Sequence, residues 1–146
     1  MRIDGAAKAT AQLVQPGSHA LRLVAQQGFS TEFIDFFKTV NDTTTACGSA
    51  LESGAPVLIS DITKSPVFAG TVGLQVMLRA GSRAVASVPV GAPHDRLIAM
   101  ISTHHPQTTA WTDNRILALR HLCESTGLLL HHLLHNPGPQ PPGSHA

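Results

Sequence analysis

Apolar and polar residues alternate in two short segments near the start of the chain. Residues 9–14 (ATAQLV) and 20–26 (ALRLVAQ) both follow the two-residue period of a half-buried strand. Pro16, Gly17 and Ser18 lie between them and form a turn cluster. The pattern therefore predicts an antiparallel hairpin with a short loop.

Helical spacing replaces this alternation in the next part of the chain. Ser30 is a suitable N-cap for a helix within residues 31–40 (TEFIDFFKTV), whose phenylalanines share one face. Thr44 or Thr45 caps a second short helix, and Gly54 suits the left-handed position that ends it. We therefore expect two helices to follow the hairpin.

Three apolar runs predict further strands, at residues 56–61 (PVLISD), 83–90 (RAVASVPV) and 97–105 (LIAMISTHH). Between the first two runs, residues 68–80 (FAGTVGLQVMLRA) are apolar at helical intervals and predict a third helix. The connection at 91–96 (GAPHDR) is short enough to join the last two strands as a tight hairpin.

A long amphipathic segment follows the last predicted strand. Thr112 caps a helix over residues 113–135. Its expected buried stripe consists of Leu119, Leu122, Cys123, Thr126, Leu129, Leu130 and Leu133. Because hairpins stand at both ends of the element order, the prediction is an α+β fold, with a central, mainly antiparallel sheet of about five strands and flanking helices.

Composition narrows the classes of partner. The 146 residues, 42 % of them apolar, predict one domain over residues 1–135, followed by a disordered Pro/Gly-rich tail over 136–146. With 10 Lys and Arg, 9 Asp and Glu, no Tyr and one Trp, the chain has neither a basic surface nor stacking platforms, so no nucleic-acid partner is expected. No apolar run is long enough to span a membrane and no secretory signal is present, so we expect a cytoplasmic protein without a membrane partner.

Several stretches of the chain follow one another in a recognisable order. They are residues 21–29 (LRLVAQQGF), 46–62 (ACGSALESGAPVLISDI), 65–70 (SPVFAG), 81–90 (GSRAVASVPV), 95–105 (DRLIAMISTHH) and the segment after Trp111. In this order they resemble the strands, the link and the closing helix of the GAF domain of bacterial signalling proteins, a sensory module similar to PAS domains. The resemblance covers about residues 7–135. It implies a regulatory module of signal transduction that senses a small molecule.

Both ends of the sequence differ from the GAF pattern. A GAF domain usually opens with a long helix beside the closing one, whereas at most eight residues precede the first predicted strand here. The missing helix would leave an apolar strip uncovered, so we expect a homodimer through the closing helix. That helix ends at a Pro-rich tail instead of running on to an output domain, which makes a separate signalling protein a further expected partner.

The resemblance also implies a ligand site between the sheet and the segments that connect the middle helices and strands. The matching positions are Ser60, Asp61, Phe68, Met77, Arg83, Ser87, Ser102 and His104. Phe68 and Met77 would supply apolar walls, and Arg83 could fix an anionic ligand by a forked contact. Arg83 is also explained as a solvated residue, and Ser87 as a small core residue. No motif selects among cyclic nucleotides, haem and amino acids, so the ligand and any cofactor stay open.

Cys47 lies where the second predicted helix begins, and a thiol at a helix N-terminus favours the thiolate form. Free methionine sulfoxide reductases, which resemble GAF domains, work with a set of cysteines around the pocket. Cys123, by contrast, lies on the apolar stripe of the closing helix, so Cys47 has no evident resolving partner. We therefore expect Cys47 to pack as a small apolar residue, with a thiol-dependent redox protein as the alternative.

Other chemistry-bearing residues give weaker patterns. His131 and His135 share a helix face, but no further Cys/His set completes a metal site, so no metal is expected. His104 and His105 end a strand and should point to opposite faces of the sheet. Because neither a G-x-S-x-G motif nor a phosphate-binding loop occurs, we expect a non-catalytic protein. The competing hypothesis from the same residues is an interaction scaffold that binds no ligand.

Overall fold

The strands form a single antiparallel sheet. The structure, a computed structural model, describes residues 8–91 and 97–135, with side chains up to residue 127. The strands are β1 (Lys8–Val14), β2 (Leu21–Gln27), β3 (Thr39–Val40), β4 (Val57–Ile59), β5 (Ala84–Gly91) and β6 (Leu97–His105). Their order in the sheet is β3-β2-β1-β6-β5-β4. The α+β prediction is confirmed, and within these residues the sheet has six strands, where the sequence predicts about five.

Helices cover both faces of this sheet. They are α1 (Thr31–Phe37), α2 (Ala46–Ser53), α3 (Val72–Arg79) and α4 (Asp113–His135), and a 3₁₀ turn spans Ile62–Lys64. The helix predicted within residues 31–40 ends at Phe37, because the next residues form β3 and pair with the start of β2. None of the described helices combines the length and the apolar character needed to cross a membrane. The predicted hairpin residues 92–96 and the predicted tail 136–146 lie outside the described residues.

The sheet separates two hydrophobic cores. On one side, called here the front face, α1, α2 and α3 pack over the strands around Phe33, Phe68, Met77 and Met100. On the opposite side, called the back face, α4 packs mainly against β5. The back-face core consists of Ala86, Val88, Val90, Ala99, Ile101, Leu119 and Cys123. Successive residues of β5 and β6 therefore contribute to different cores, as the period of a strand requires.

The entry to α2 is built as the sequence predicts. The Thr45 hydroxyl accepts a hydrogen bond from the Gly48 N–H at 3.2 Å, which satisfies one free donor of the first turn. Gly54 follows the helix in a left-handed conformation with φ +68°. At Gly48 the helix approaches the Asp42 carbonyl so closely that a Cβ atom would lie 1.8 Å from its oxygen. The start of α2 therefore lies directly against the preceding loop.

The third helix begins later than its apolar pattern predicts. The sequence predicts a helix over residues 68–80, whereas α3 starts at Val72. The reason is local: Gly70 adopts a left-handed φ of +71°, and the Thr71 hydroxyl accepts a hydrogen bond from the Leu74 N–H at 3.2 Å and caps the helix there. Phe68 is therefore a buried loop residue rather than a helical one.

The closing helix α4 docks on the sheet through Leu119, Cys123 and Gly127. Leu119 and Cys123 of the predicted stripe are buried, and Leu122 and Thr126 are half-buried. The remaining predicted members, Leu129, Leu130 and Leu133, lie where side chains are not described. One turn beyond Cys123, Gly127 is buried so closely against β5 that a Cβ atom would lie 2.4 Å from the Gly91 carbonyl oxygen.

Candidate functional site

A small cavity lies between the front face of the sheet and the helices that cover it. Its volume is about 10 Å³, which is on the order of the space that one water molecule needs. It is lined by Thr10, Gln12, Leu23, Phe33, Phe37, Ala46, Cys47, Phe68, Met77, Val85, Ser87, Ser102 and His104. Its lining, apolar walls with a few polar groups, is of the kind found in ligand sites, but its volume is far below the roughly 300–1,000 Å³ of such sites.

The two serines of this cavity are partners of each other. Ser87 on β5 and Ser102 on β6 stand directly opposite in the antiparallel register. Their hydroxyl oxygens are 2.7 Å apart, and both side chains are buried. One hydroxyl donates to the other, so each serine has the partner that burial requires.

His104 contributes a neutral imidazole to the same cavity. Its Nδ1 lies 3.3 Å from the Ser82 hydroxyl, and its ring meets Phe29 and Phe33 edge-on at centroid distances of 4.9 and 5.5 Å. Burial lowers the pKa of His104 from 6.5 to about 3, with smaller contributions from the charges of His105 and Lys8. The ring is consequently uncharged at neutral pH. The neighbouring His105 faces the back side, with its ring 5.1 Å from that of Trp111.

Gln12 is the cavity residue whose hydrogen bonding is incomplete. It comes from the middle of β1, it is 1 % exposed, and its Nε2 lies 3.8 Å from the Cys47 sulfur. Among the residues that the structure describes, its Oε1 has no hydrogen-bond partner. A buried amide oxygen without a donor costs about 1–3 kcal/mol, so a ligand or a water that supplied a donor here would be favoured.

Cys47 lies at the start of α2 in an environment that disfavours the thiolate. It is 5 % exposed, and its sulfur is 3.4 Å from the Thr45 hydroxyl oxygen. Burial raises the pKa of the thiol, and the hydrogen bonds from Thr45, Gln12 and the backbone only partly oppose that effect. Cys123, whose pKa burial raises to about 11, belongs to the core on the opposite face of the sheet, and both cysteines are free thiols.

Three of the eight predicted site residues lie away from the cavity. Arg83 forms a forked ion pair with Asp61, from Nε to Oδ1 at 2.8 Å and from Nη2 to Oδ2 at 3.2 Å. The same carboxylate accepts hydrogen bonds from the N–H and the hydroxyl of Thr63, and the Arg83 contact holds the pKa of Asp61 well below its usual range. Ser60 is exposed. Asp61 caps the 3₁₀ turn, and none of Ser60, Asp61 and Arg83 lines the front-face cavity.

The other five predicted residues, Phe68, Met77, Ser87, Ser102 and His104, all line the cavity. Their role as ligand contacts stays a prediction. Sequence reasoning missed Thr10 and Gln12, and it placed Cys47 near a pocket only as a packing residue. Within the described residues, no group of three or more His, Cys, Asp and Glu side chains could hold a metal ion. The histidines near the end of α4 lie where side chains are not described.

Comparison with known proteins gives one consistent result. The family model of the GAF domain matches residues 6–130 of the chain. No curated protein sequence matches it significantly. Three similar solved structures come from proteins of different kinds. Each is less than 25 % identical to this chain, so the similarity is evidence for the fold alone.

The first is a domain of a protein named as a two-component sensor histidine kinase from Sinorhizobium meliloti 1021, with a TM-score of 0.72, 14 % identity, and coverage of 89 % of this chain and 82 % of that one. The second is the GAF domain of a phosphoenolpyruvate-protein phosphotransferase from Coxiella burnetii, with a TM-score of 0.74, 11 % identity, and coverage of 92 % and 77 %. The third is the free methionine-R-sulfoxide reductase of Neisseria meningitidis in complex with its substrate, with a TM-score of 0.63, 20 % identity, and coverage of 84 % and 66 %.

Proposed function

The chain belongs to the GAF family, and from that premise we propose that it is a non-catalytic sensor module of signal transduction that binds a small molecule in the front-face cavity. The observation that carries this proposal is the cavity itself, in which a buried amide oxygen of Gln12 lacks a donor among the described residues. Sites for small molecules combine apolar walls with a few convergent polar groups in this way. The bound ligand would alter a contact with a second copy of the chain or with a separate signalling protein.

The polar residues of the cavity support binding better than catalysis. The hydroxyls of Ser87 and Ser102 bond to each other, so neither is paired with a base in the manner of an activated nucleophile. The pKa of His104, about 3, lies too far below neutral pH for efficient general-base work. Among the described residues that line the cavity, none is a carboxylate or a lysine.

Thermal unfolding with a panel of metabolites tests this function. Cyclic nucleotides, amino acids and small uncharged metabolites would each be added in excess to the purified chain. A ligand of the folded state raises the midpoint of unfolding by mass action, and we expect at least one member to do so. Native mass spectrometry of the freshly purified protein checks for a ligand that co-purifies. If neither experiment reveals a ligand, the interaction-scaffold alternative replaces the sensor.

A thiol-dependent redox protein is the second candidate. It is favoured by the position of Cys47 in the cavity wall and by the similarity in fold to a methionine sulfoxide reductase. It is opposed by the burial that raises the pKa of Cys47 and by the location of Cys123 on the other face of the sheet. Rapid consumption of free methionine sulfoxide with dithiothreitol as reductant would support this candidate against the sensor.

The back face supports a homodimer as the assembled form. α4 packs mainly on β5, and on β1 the residues Ala9, Ala11 and Leu13 of the same face are only half-buried. Val24 lies beside Leu13 and is 48 % exposed, and Leu117 on α4 is 54 % exposed. Apolar surface of this kind favours association, and we propose that a second copy of the chain covers it together with the closing helix.

Free thiols on both faces accord with the reducing cytoplasm as the location.

A further inference from the structure

We propose that the front-face cavity selects an uncharged ligand with an apolar body and one hydrogen-bond donor, which binds the Oε1 atom of Gln12. Small neutral alcohols and phenols have this chemistry. The inference rests on the proposed sensor function and specifies the class of ligand. It excludes anionic cyclic nucleotides and zwitterionic amino acids from this site.

The absence of charge in the cavity wall carries the first part of the argument. None of the described residues that line it is Asp, Glu, Lys or Arg, and its histidine is neutral. An ion placed in such a site would lose its hydration without gaining a partner, which costs several kcal/mol or more.

The nearby charges are already engaged elsewhere. Lys8 donates to the Ala80 carbonyl and lies over the ring of Phe29, with its nitrogen 5.2 Å from the ring centroid. Arg83 is held by Asp61 outside the cavity. Neither cation lines the cavity, and the Lys8 charge acts there only through its minor contribution to the lowered pKa of His104.

The unpaired acceptor of the cavity wall decides which group the ligand presents. The serine hydroxyls bond to each other, the imidazole Nδ1 of His104 lies near Ser82, and the Nε2 of Gln12 donates to the Cys47 sulfur. The Oε1 of Gln12 is an acceptor without a donor among the described residues. A ligand hydroxyl or N–H satisfies it, whereas an ether or a carbonyl oxygen does not.

The size of the cavity limits the apolar body. The space of about 10 Å³ accommodates one water in the form described here, so a larger ligand must displace wall side chains. Met77 can adjust because its side chain is flexible. Phe33 belongs to α1, a helix of 7 residues whose N-cap makes no side-chain hydrogen bond, and it stacks on Phe29 at a centroid distance of 3.7 Å. A ligand as large as one aromatic ring can therefore bind only if Met77 and Phe33 move aside.

Four matched probes separate these requirements: benzyl alcohol, benzyl methyl ether, benzoate and benzylammonium. Binding would be followed by NMR titration of the whole chain, read at the side-chain amide of Gln12 and the methyl group of Met77. We expect benzyl alcohol to shift both signals with saturation. The ether, which lacks the donor, should bind about tenfold more weakly, and the two ions should leave both signals unchanged.

Gln12→Leu provides the matched change in the protein, because leucine has a similar size and no amide. In this variant benzyl alcohol should lose about tenfold in affinity and the ether should lose little. Gln107→Leu, which makes the same exchange in an exposed loop, should bind as the unaltered chain does. The probe comparison on the unaltered chain needs no variant, so it decides the matter even if Gln12→Leu fails to fold.

Each unfavourable outcome has a distinct meaning. Equal or tighter binding of the ether, or saturable binding of benzoate or benzylammonium at Gln12 and Met77, overturns the inference and leaves the sensor function standing. Failure of all four probes at these signals, together with the absence of any ligand in the metabolite panel, overturns the inference and the sensor function together.

Discussion

His104 links the front-face cavity to the pH of the solution. Burial is the main reason that its pKa falls from 6.5 to about 3, and the charges of His105 and Lys8 add to the effect. In the unfolded chain the ring takes up a proton below about pH 6.5, whereas the folded ring stays neutral down to about pH 3. The unfolded state therefore binds more protons in this interval, and the contribution of His104 to stability falls as the pH falls from 6.5 towards 3.

His104→Gln should flatten this dependence. For the unaltered chain, the free energy of urea unfolding should fall by up to about 1.4 kcal/mol per pH unit below pH 6 because of this one group. For the variant, the free energy of unfolding should change less steeply with pH between about pH 6 and 4.5. The lowered pKa of Asp61 affects stability only below this range. His121→Gln, at an exposed position of α4, is the control. Equal slopes for the two variants would contradict the assignment.

Cys47 should behave as a protected thiol. Because burial both blocks access and raises its pKa, alkylation by iodoacetamide at neutral pH should be at least about a hundredfold slower than that of glutathione. Mass spectrometry of peptides resolves Cys47 from Cys123, and addition of denaturant should make both react rapidly. If native Cys47 reacts as fast as glutathione, the packing role is wrong and the redox candidate gains.

At the scale of elements, β1 shows where sequence reasoning succeeds and where it fails. Alternation predicts the strand within one residue of its observed start. A half-buried strand with this alternation would turn the polar residues Thr10 and Gln12 to solvent, whereas both are buried on the front face and Ala9 and Ala11 are half-buried. The strand period gives two faces but does not say which one is inside. That choice depends on the helices packed from elsewhere in the chain, so Gln12 escaped detection.

Local chemistry predicts helix ends better than apolar spacing does. The Thr45 and Gly54 caps of α2 follow from the sequence because each acts on its own backbone. The apolar run from Phe68 predicts too early a helix start. The observed helix begins after the left-handed Gly70 and is capped by Thr71. The cap residues should therefore be given more weight than the apolar period when both occur in one segment.

Gly48→Ala tests the close approach of α2 to the loop before it. A Cβ atom at this position would lie 1.8 Å from the Asp42 carbonyl oxygen, so the helix start must move, and we expect a loss of about 1–3 kcal/mol in the free energy of unfolding. Gly54→Ala is the matched control, since no atom lies within 4 Å of its Cβ position and only the left-handed backbone is strained, at about 1–2 kcal/mol. Because Cys47 precedes Gly48, the first variant should also speed its alkylation. A smaller loss of stability in Gly48→Ala than in Gly54→Ala would show that the loop before α2 moves aside at little energetic cost.

At the scale of the whole molecule, one sheet serves two different surfaces. β5 and β6 place Ser87, Ser102 and His104 at the front-face cavity and Ala86, Val88 and Ile101 in the core under α4. The family pattern places Ser87, Ser102 and His104 at the cavity through their positions in the sheet, whereas Phe68 reaches it from a loop and Met77 from α3. It does not predict the ion pair of Arg83 with Asp61, because that contact depends on the orientation of two side chains and not on the strand pattern. A ligand that shifts β5 or β6 would therefore change the packing on both faces of the sheet.

Association through the back face is the last consequence of this architecture. Light scattering after size-exclusion chromatography should show a dimer at micromolar concentration, because Val24 and Leu117 leave apolar surface beside a helix that packs mainly on β5. Val24→Lys combined with Leu117→Lys should yield a monomer, since an unpaired charge in an apolar interface is costly. Val72→Lys changes a residue that is 69 % exposed on α3 at the front side and should leave the dimer intact. A monomer for the unaltered chain at high micromolar concentration would refute the dimer, and dissociation by Val72→Lys would move the interface to the helices over the cavity.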